Sequence, residues 1–330
     1  MNKLLLILAM VFLVQNMTYA DEEILFNALI QGSDNKNIDL DFKNVDLAKI
    51  TPSVKNLKLD GRLNGSLNIN QLKSVYLPKS SLTVDNLKVN DFNLGSFKAA
   101  IQGNQSLTNY DVNISLKEDA NESLSVMGTL DVSGDNSNLD LDISFNDFIL
   151  DPLNPFGADV ITNIRGEISG HTSLSGQLEK PQIEGRLVLD NAGLAIPYLN
   201  VGYDFAEATI ITLKNQSFIF DKALMSDVDF QSQAYLSGNI SHNNFSNWSL
   251  DLNIDSDRLL VLNTIEQEES LYYGTAFVAG DIDVSGPTDQ LFIEANVGTS
   301  DGTIFKIPLN DSEILSESSY ISFLSPDQKT

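Results

Sequence analysis

The chain repeats itself at long range, and that repeat limits what it can fold into. Gly61, Leu63, Gly65, Ile69, Val84, Asp85 and Asn86 correspond, 105 positions on, to Gly166, Ile168, Gly170, Leu174, Leu189, Asp190 and Asn191. Gly170, Leu174, Gly176, Ile183, Glu184 and Leu187 correspond in turn to Gly280, Val284, Gly286, Ile293, Glu294 and Val297, at an offset of 110. Gly128–Leu130 maps onto Gly238–Ile240 at 110, and Leu139–Ile143 onto Leu250–Ile254 at 111. Glycine, apolar and Asp/Asn positions recur while the residues between them drift. Stacked supersecondary units leave this trace, and they build long, quasi-one-dimensional surfaces instead of compact catalytic bodies.

The matched segments reveal the building unit. Leu139, Leu141, Ile143 and Phe145 alternate with Asp140, Asp142 and Ser144; Val112, Ile114 and Leu116 alternate with Asp111, Asn113 and Ser115. Leu250, Leu252 and Ile254 do the same with Asp251, Asn253 and Asp255. Period-two alternation marks a half-buried antiparallel strand with one dry face and one wet face. Turn-forming clusters such as Ser133–Asn138 and Ser241–Asn244 separate the strands. Strands are expected every ~10–12 residues. Sustained helical periodicity is lacking after residue 55. The expected class is all-β, a meandering antiparallel sheet.

The charge balance narrows the partners. With 45 acidic against 20 basic residues the formal net charge is −25, much of it at alternating strand positions on the solvated face. Such charge keeps sheet edges from pairing with other chains. Nothing here could neutralise a run of phosphates, so nucleic acid is not an expected partner. Cysteine is absent; ladders and core must hold the fold in any redox compartment, and thiol nucleophiles and thiolate metal sites are excluded.

Four segments are expected. In residues 1–20, Lys3 precedes the apolar run Leu4–Val14, and Thr18-Tyr19-Ala20 stands before acidic Asp21. This pattern reads as a cleavable secretory signal, or alternatively as a short membrane anchor, and eleven apolar residues are few for a span that needs about 20. It implies export, in a bacterium to the periplasm and cell envelope. Residues 21–55 form a lead-in or cap: Glu23–Ile30 suits a short helix or a first strand, and Pro52 introduces a break near its end. Residues 56–325 are the repetitive β domain, and 326–330 a tail.

The search for chemistry yields no catalytic or metal constellation. His171 and His242 lie in polar, turn-like settings, without a second histidine or an acid at ligand spacing, and read as surface imidazoles. Gly170–Gly176 has no strand-to-helix turn for a nucleophile elbow. The pair Gly61/Gly65 has no following helix to cradle phosphate and reads as a turn or bulge. Oxygen-rich stretches at Asp34–Asp39 and Asp135–Asp140 lack the closing glutamate of a tight calcium site. No cofactor or metal is expected, and no enzymatic activity.

What remains is the apolar face. Leu, Ile, Val and Phe are spread evenly, about three per strand, from Leu57 to Leu309. A single sheet with a continuous apolar face must fold over on it or offer it to an apolar ligand. The recurrent pattern resembles the AsmA-like superfamily, and the TamB family in particular. Gly280–Val297 carries the recurring glycine–apolar module, Gly166–Leu187 is a second copy, and Gly302–Leu309 with Ser319–Phe323 is similar to a stretch of Bacteroidetes TamB-like proteins. The resemblance covers residues 56–325 and identifies a part-length relative.

The resemblance implies a β-taco: one long, curved antiparallel sheet forming an open apolar trough. It implies that phospholipid acyl chains move along the trough between inner and outer membrane, and that the protein serves outer-membrane biogenesis with a BamA/TamA-type barrel. At one strand per ~11 residues over 56–310, some 23 strands spanning ~110 Å are expected. The candidate lining is Val84, Ile114, Leu130, Leu141, Ile143, Phe145, Leu187, Leu189, Phe218, Phe220, Leu252, Ile254, Val284, Ile293 and Phe305. The alternative is a closed repetitive β-structure, filled by its own side chains, acting as a secreted structural or adhesive protein.

Overall fold

The computed structural model describes residues 22–308, apart from 32–34, 52–55, 73–74, 105–107, 135, 158–159, 245 and 268–270. The expected signal segment, the 326–330 tail and the Ser319–Phe323 stretch lie outside the described residues. Among the described residues, eighteen strands form one antiparallel sheet. In chain order they are β1 (Glu23–Gln31), β2 (Asn35–Asp46), β3 (Leu59–Leu72), β4 (Val75–Val89), β5 (Phe92–Gly103) and β6 (Asn109–Glu118). Then come β7 (Asn121–Asp131), β8 (Asn138–Ile149), β9 (Thr162–Gln177), β10 (Lys180–Ile196), β11 (Val201–Phe205) and β12 (Thr209–Asn215). The last six are β13 (Ser217–Asp227), β14 (Gln233–Asn243), β15 (Ser246–Thr264), β16 (Tyr273–Pro287), β17 (Phe292–Thr299) and β18 (Ile304–Lys306).

The order in space follows the order in sequence. From β1 to β10 each strand pairs with the next. Two short strands, β11 and β12, share the long edge of β10 and both pass to β13. The meander then resumes through β16, along which β17 and β18 lie end to end. Over residues 56–310, where 23 strands were expected, the described residues hold 16, β3 to β18, because strands run longer than the sequence spacing suggested; β9, β10 and β15 have 16, 17 and 19 residues. Glu23–Ile30 is a strand, and the lead-in joins the same sheet, followed by a one-turn helix α1 (Leu47–Ile50).

The repeated Asp-Asn pair proves to be a bending device. Asn86 and Asn191 have φ of 53° and 48°, and each sits at a register shift, between Val84 and Leu87 and between Asp190 and Gly193. Asp147 and Lys222 take the same left-handed conformation at the shifts Phe145/Phe148 and Phe220/Ala223. A bulge bends its strand and sharpens the local twist, and Asn and Asp tolerate the left-handed region better than other side chains do. These strands run in one direction and the bulges fall on the same side of the sheet's midline, so the sheet creases along a line.

Beyond the crease the sheet packs on itself. Strand β15 outruns its neighbour β14, whose pairing ends at Gln233↔Arg258. Its tail passes the β13–β14 turn to reach β11. There the Tyr203 hydroxyl donates to the Leu260 carbonyl at 2.7 Å, and the Leu260 N–H donates to Ser232 Oγ at 2.8 Å. Ser232 in turn donates its hydroxyl and its N–H to Asp227, whose side chain also takes the Phe230 N–H. Asp227 is fully buried; three donors compensate a carboxylate that water cannot reach. The large core centred on Val201, Tyr203, Met225, Leu259, Leu260 and Phe277 surrounds this clasp. A smaller core of Val45, Leu63 and Val84 packs with Leu47 and Ile50 of α1.

Candidate functional site: an apolar ladder across the sheet

Residues directly opposite one another in an antiparallel pair share a face. Following register from strand to strand gives one row: Val45, Leu63, Val84, Phe97, Leu116, Leu124, Phe145, Gly170, Leu187, Ile211, Phe220, Gly238, Leu252, Val284 and Ile293. Every position is aliphatic, aromatic or glycine. Fourteen steps of ~4.8 Å make the row about 67 Å long, shorter than the expected ~110 Å because there are fewer, longer strands.

The candidates named from the sequence fall largely on this row and its neighbours. Val84, Phe145, Leu187, Phe220, Leu252, Val284 and Ile293 belong to it. Ile114 and Ile143 flank Val126 in the next row, which continues on β13 and β14 through Phe218 and Ile240. Leu130 faces Leu139, Leu141 faces Gly128 and Leu174, Leu189 faces Ile168, and Ile254 faces Leu236 and Ile282. Phe305 stands apart: it lies on β18 opposite Gly274, stacks on Tyr272 at 5.5 Å, and is 52% exposed. Ile293 is 70% exposed at the terminal rung.

Burial divides the ladder. Leu187, Leu189 and Phe220 sit in the large core and Val84 in the small one, whereas Ile114, Leu130, Leu141, Ile143 and Phe145 on β6–β8 are only half-buried. The reverse face is wet and acidic: Asp140, Asp142, Asp251, Asp255, Asp281 and Asp283 are all exposed. On it the His171 ring nitrogen Nδ1 and the Ser144 hydroxyl lie 2.8 Å apart.

His242 departs from the surface reading. It is buried at the end of β14, its ring 4.8 Å from the Trp248 ring and 5.9 Å from that of Phe218, and burial pushes its pKa down. The polar neighbours Ser241, Asn243 and Asn244 concealed that it continues the apolar parity of Leu236, Gly238 and Ile240. Phe97, Leu116, Leu124 and Ile211 are ladder members that were not singled out, though the same alternation marks them. Leu259 and Leu260 were missed for a different reason: an unbroken run, Leu259-Leu-Val-Leu262, carries no period.

The ladder also explains the recurrent glycines. Gly170 and Gly238 stand within it at φ of +147° and +113°, where side chains are rarely found. A Cβ at Gly238 would overlap the Asp251 carbonyl oxygen and lie 2.9 Å from Leu252 Cα; one at Gly170 would overlap the Arg186 carbonyl. Their repeat partners Gly65, Gly128 and Gly280 meet the next strand in the same way. These positions are close approaches of backbone to backbone and not turns. Gly61 lies beside the register shift Asp60/Arg62, and Gly65, Gly170, Gly238 and Gly280 each stand next to one as well, at Phe42/Val45, Phe145/Phe148, Phe220/Ala223 and Ser256/Leu259.

A single long sheet, creased by bulges, apolar along one face and acidic on the other, defines the β-taco class. The family model of the TamB N-terminal domain matches residues 20–189, and that of the TamB C-terminal domain matches residues 225–330. The chain belongs to the TamB family, whose members are envelope components of the translocation and assembly module. No curated protein and no solved structure matches the chain. No helix among the described residues is long and apolar enough to cross a membrane.

Proposed function

We propose that the apolar face is the floor of a periplasmic trough that holds phospholipid acyl chains and passes them between inner and outer membrane, in concert with a TamA-like outer-membrane barrel. The observation that carries this reading is the unbroken apolar row from Val45 to Ile293. A sixteen-carbon acyl chain loses roughly 12 kcal/mol of hydrophobic stabilisation on entering water, at ~0.8 kcal/mol per CH₂. A row of apolar side chains, aliphatic and aromatic and free of polar groups, offsets that cost along its length, which suits passage better than capture. Loading belongs to β6–β8, where Ile114, Leu130, Leu141, Ile143 and Phe145 retain exposed surface; Leu187, Leu189 and Phe220 already have protein neighbours. An N-terminal signal for export completes the proposal.

The self-filled core around β10–β16 favours a second reading, a structural or adhesive β-protein. One experiment separates the two. Residues 21–330 are expressed in a bacterial periplasm, purified without detergent, and their lipids measured by mass spectrometry. Stoichiometric phospholipid, lost in the Leu141→Asp/Ile143→Asp double variant, supports the trough; lipid-free, monodisperse protein supports the structural role.

A further inference from the structure

A cavity of about 600 Å³ opens away from the ladder, between the 3₁₀ turn Pro197–Leu199 that follows β10 and the ends of β15 and β16. Its size falls within the range of small-molecule sites. The wall combines two kinds of surface. Pro197, Ile265 and Leu271 are aliphatic, and Ile265 and Leu271 are 75% and 81% exposed. Tyr198 and Tyr272 are aromatic with hydroxyls joined at 2.7 Å, while Asn200, Thr264 and Gln267 supply amide and hydroxyl groups.

Two features narrow the ligand. In a chain of net charge −25, no residue among the described lining is ionisable near neutral pH. Glu266, beside the wall, is engaged by the Tyr273 hydroxyl. Among the described lining residues a phosphate or carboxylate meets no cation. Neutral amides and hydroxyls beside an aromatic ring suit a polyhydroxyl group, whose C–H face packs on the ring while its hydroxyls exchange hydrogen bonds. Tyr198 accepts a hydrogen bond from Tyr272, Phe305 stacks on Tyr272, and Asn200 at the end of the turn donates to the Asn263 carbonyl at 2.5 Å.

We infer that this cavity binds an uncharged polyhydroxyl group, a free saccharide or the sugar headgroup of a glycolipid, with Tyr198 as stacking platform and Ile265 and Leu271 as the apolar lip. The inference does not rest on the trough, because none of these residues belongs to the ladder.

The test is calorimetric titration of residues 21–330 with maltose, with dodecyl maltoside below its micellar concentration, and with dodecylphosphocholine. Tyr198→Ala and Tyr272→Phe are the variants; Tyr198 is 71% exposed, so its truncation leaves the core intact. Binding of maltose, weakened about tenfold by Tyr198→Ala, identifies a free saccharide as sufficient. Binding of dodecyl maltoside alone, weakened in the same way, identifies a glycolipid headgroup. Failure of both sugars to bind, equal binding of dodecylphosphocholine, or binding indifferent to both variants overturns the inference. The Leu141→Asp/Ile143→Asp variant, run in parallel, isolates any detergent signal that comes from the trough.

Discussion

Replacing Gly238 by alanine should be far more damaging than one methyl group suggests. Gly238 lies in the ladder between Phe220 and Leu252; its pairing with β15 is unbroken, and the register shift of β13 begins just past Phe220. Its φ of +113° lies in a region left almost wholly to glycine, and holding alanine there costs about 1–3 kcal/mol. The added Cβ would also overlap the Asp251 carbonyl. Relief requires β14 and β15 to separate locally, at a net cost of ~1 kcal/mol for each ladder hydrogen bond lost. The sum is about 3–5 kcal/mol, a large part of the stability typical of a folded domain. Gly298→Ala is the control: it lies on β17 with nothing within 4 Å of the new methyl and no left-handed φ, so it should be neutral or slightly stabilising. Urea unfolding followed by far-ultraviolet circular dichroism gives the global transition. Fluorescence of Trp248, the only tryptophan, reports the β14–β15 end directly. If the two alanine variants differed by less than about 0.5 kcal/mol, the close-approach account of the repeat glycines would be refuted.

Burial along the ladder should set its mutational sensitivity. Leu187→Ala, at a site 5% exposed in the large core, should cost about 2–5 kcal/mol, and Ile293→Ala at the exposed final rung under about 0.5, both read by chemical denaturation. Asp227→Ala should remove about 3–5 kcal/mol by stranding the Phe230 and Ser232 N–H groups and the Ser232 hydroxyl; a thermal midpoint unchanged within a degree would rule out the clasp. Burial, then the nearby Asp227, raise the pKa of the Tyr203 phenol far above its unfolded value of about 10. The neutral phenol is therefore favoured by folding: its contribution is complete below pH ~10 and is lost as pH rises beyond that. Stability measured from pH 8 to 11 should fall in the parent chain and fall less steeply in Tyr203→Phe, which also loses ~1 kcal/mol with its bond to Leu260.

The ladder was legible in the sequence because a strand's two faces are set by parity alone. Leu141, Ile143 and Phe145 had to share a face, with Asp140 and Asp142 on the other, in whatever sheet they joined. The repeat likewise marked Gly170 with Gly65, and Asp190-Asn191 with Asp85-Asn86, before their roles were known. Those roles were not legible. A glycine in an alternating segment signals a turn, a bulge or a close approach equally, and the neighbouring strand decides which. Strand count failed for a related reason: bulges at Asn86, Asp147 and Asn191 interrupt the period without ending the strand, so long bent strands read as separate short ones.

Period-two patterning, glycine spacing and acidic excess thus determined on their own a repetitive antiparallel sheet with one apolar and one solvated side, since each follows from local geometry. How far the apolar side is filled was settled only by tertiary structure. The sheet creases along its line of bulges, the tail of β15 crosses to β11, and Tyr203, Ser232 and Asp227, 29 positions apart at most by sequence number, close around Leu260. Leu187 and Leu141 carry the same alternation in sequence; one is buried and the other half-open. The difference lies in which residues stand across from them, and no local pattern encodes that.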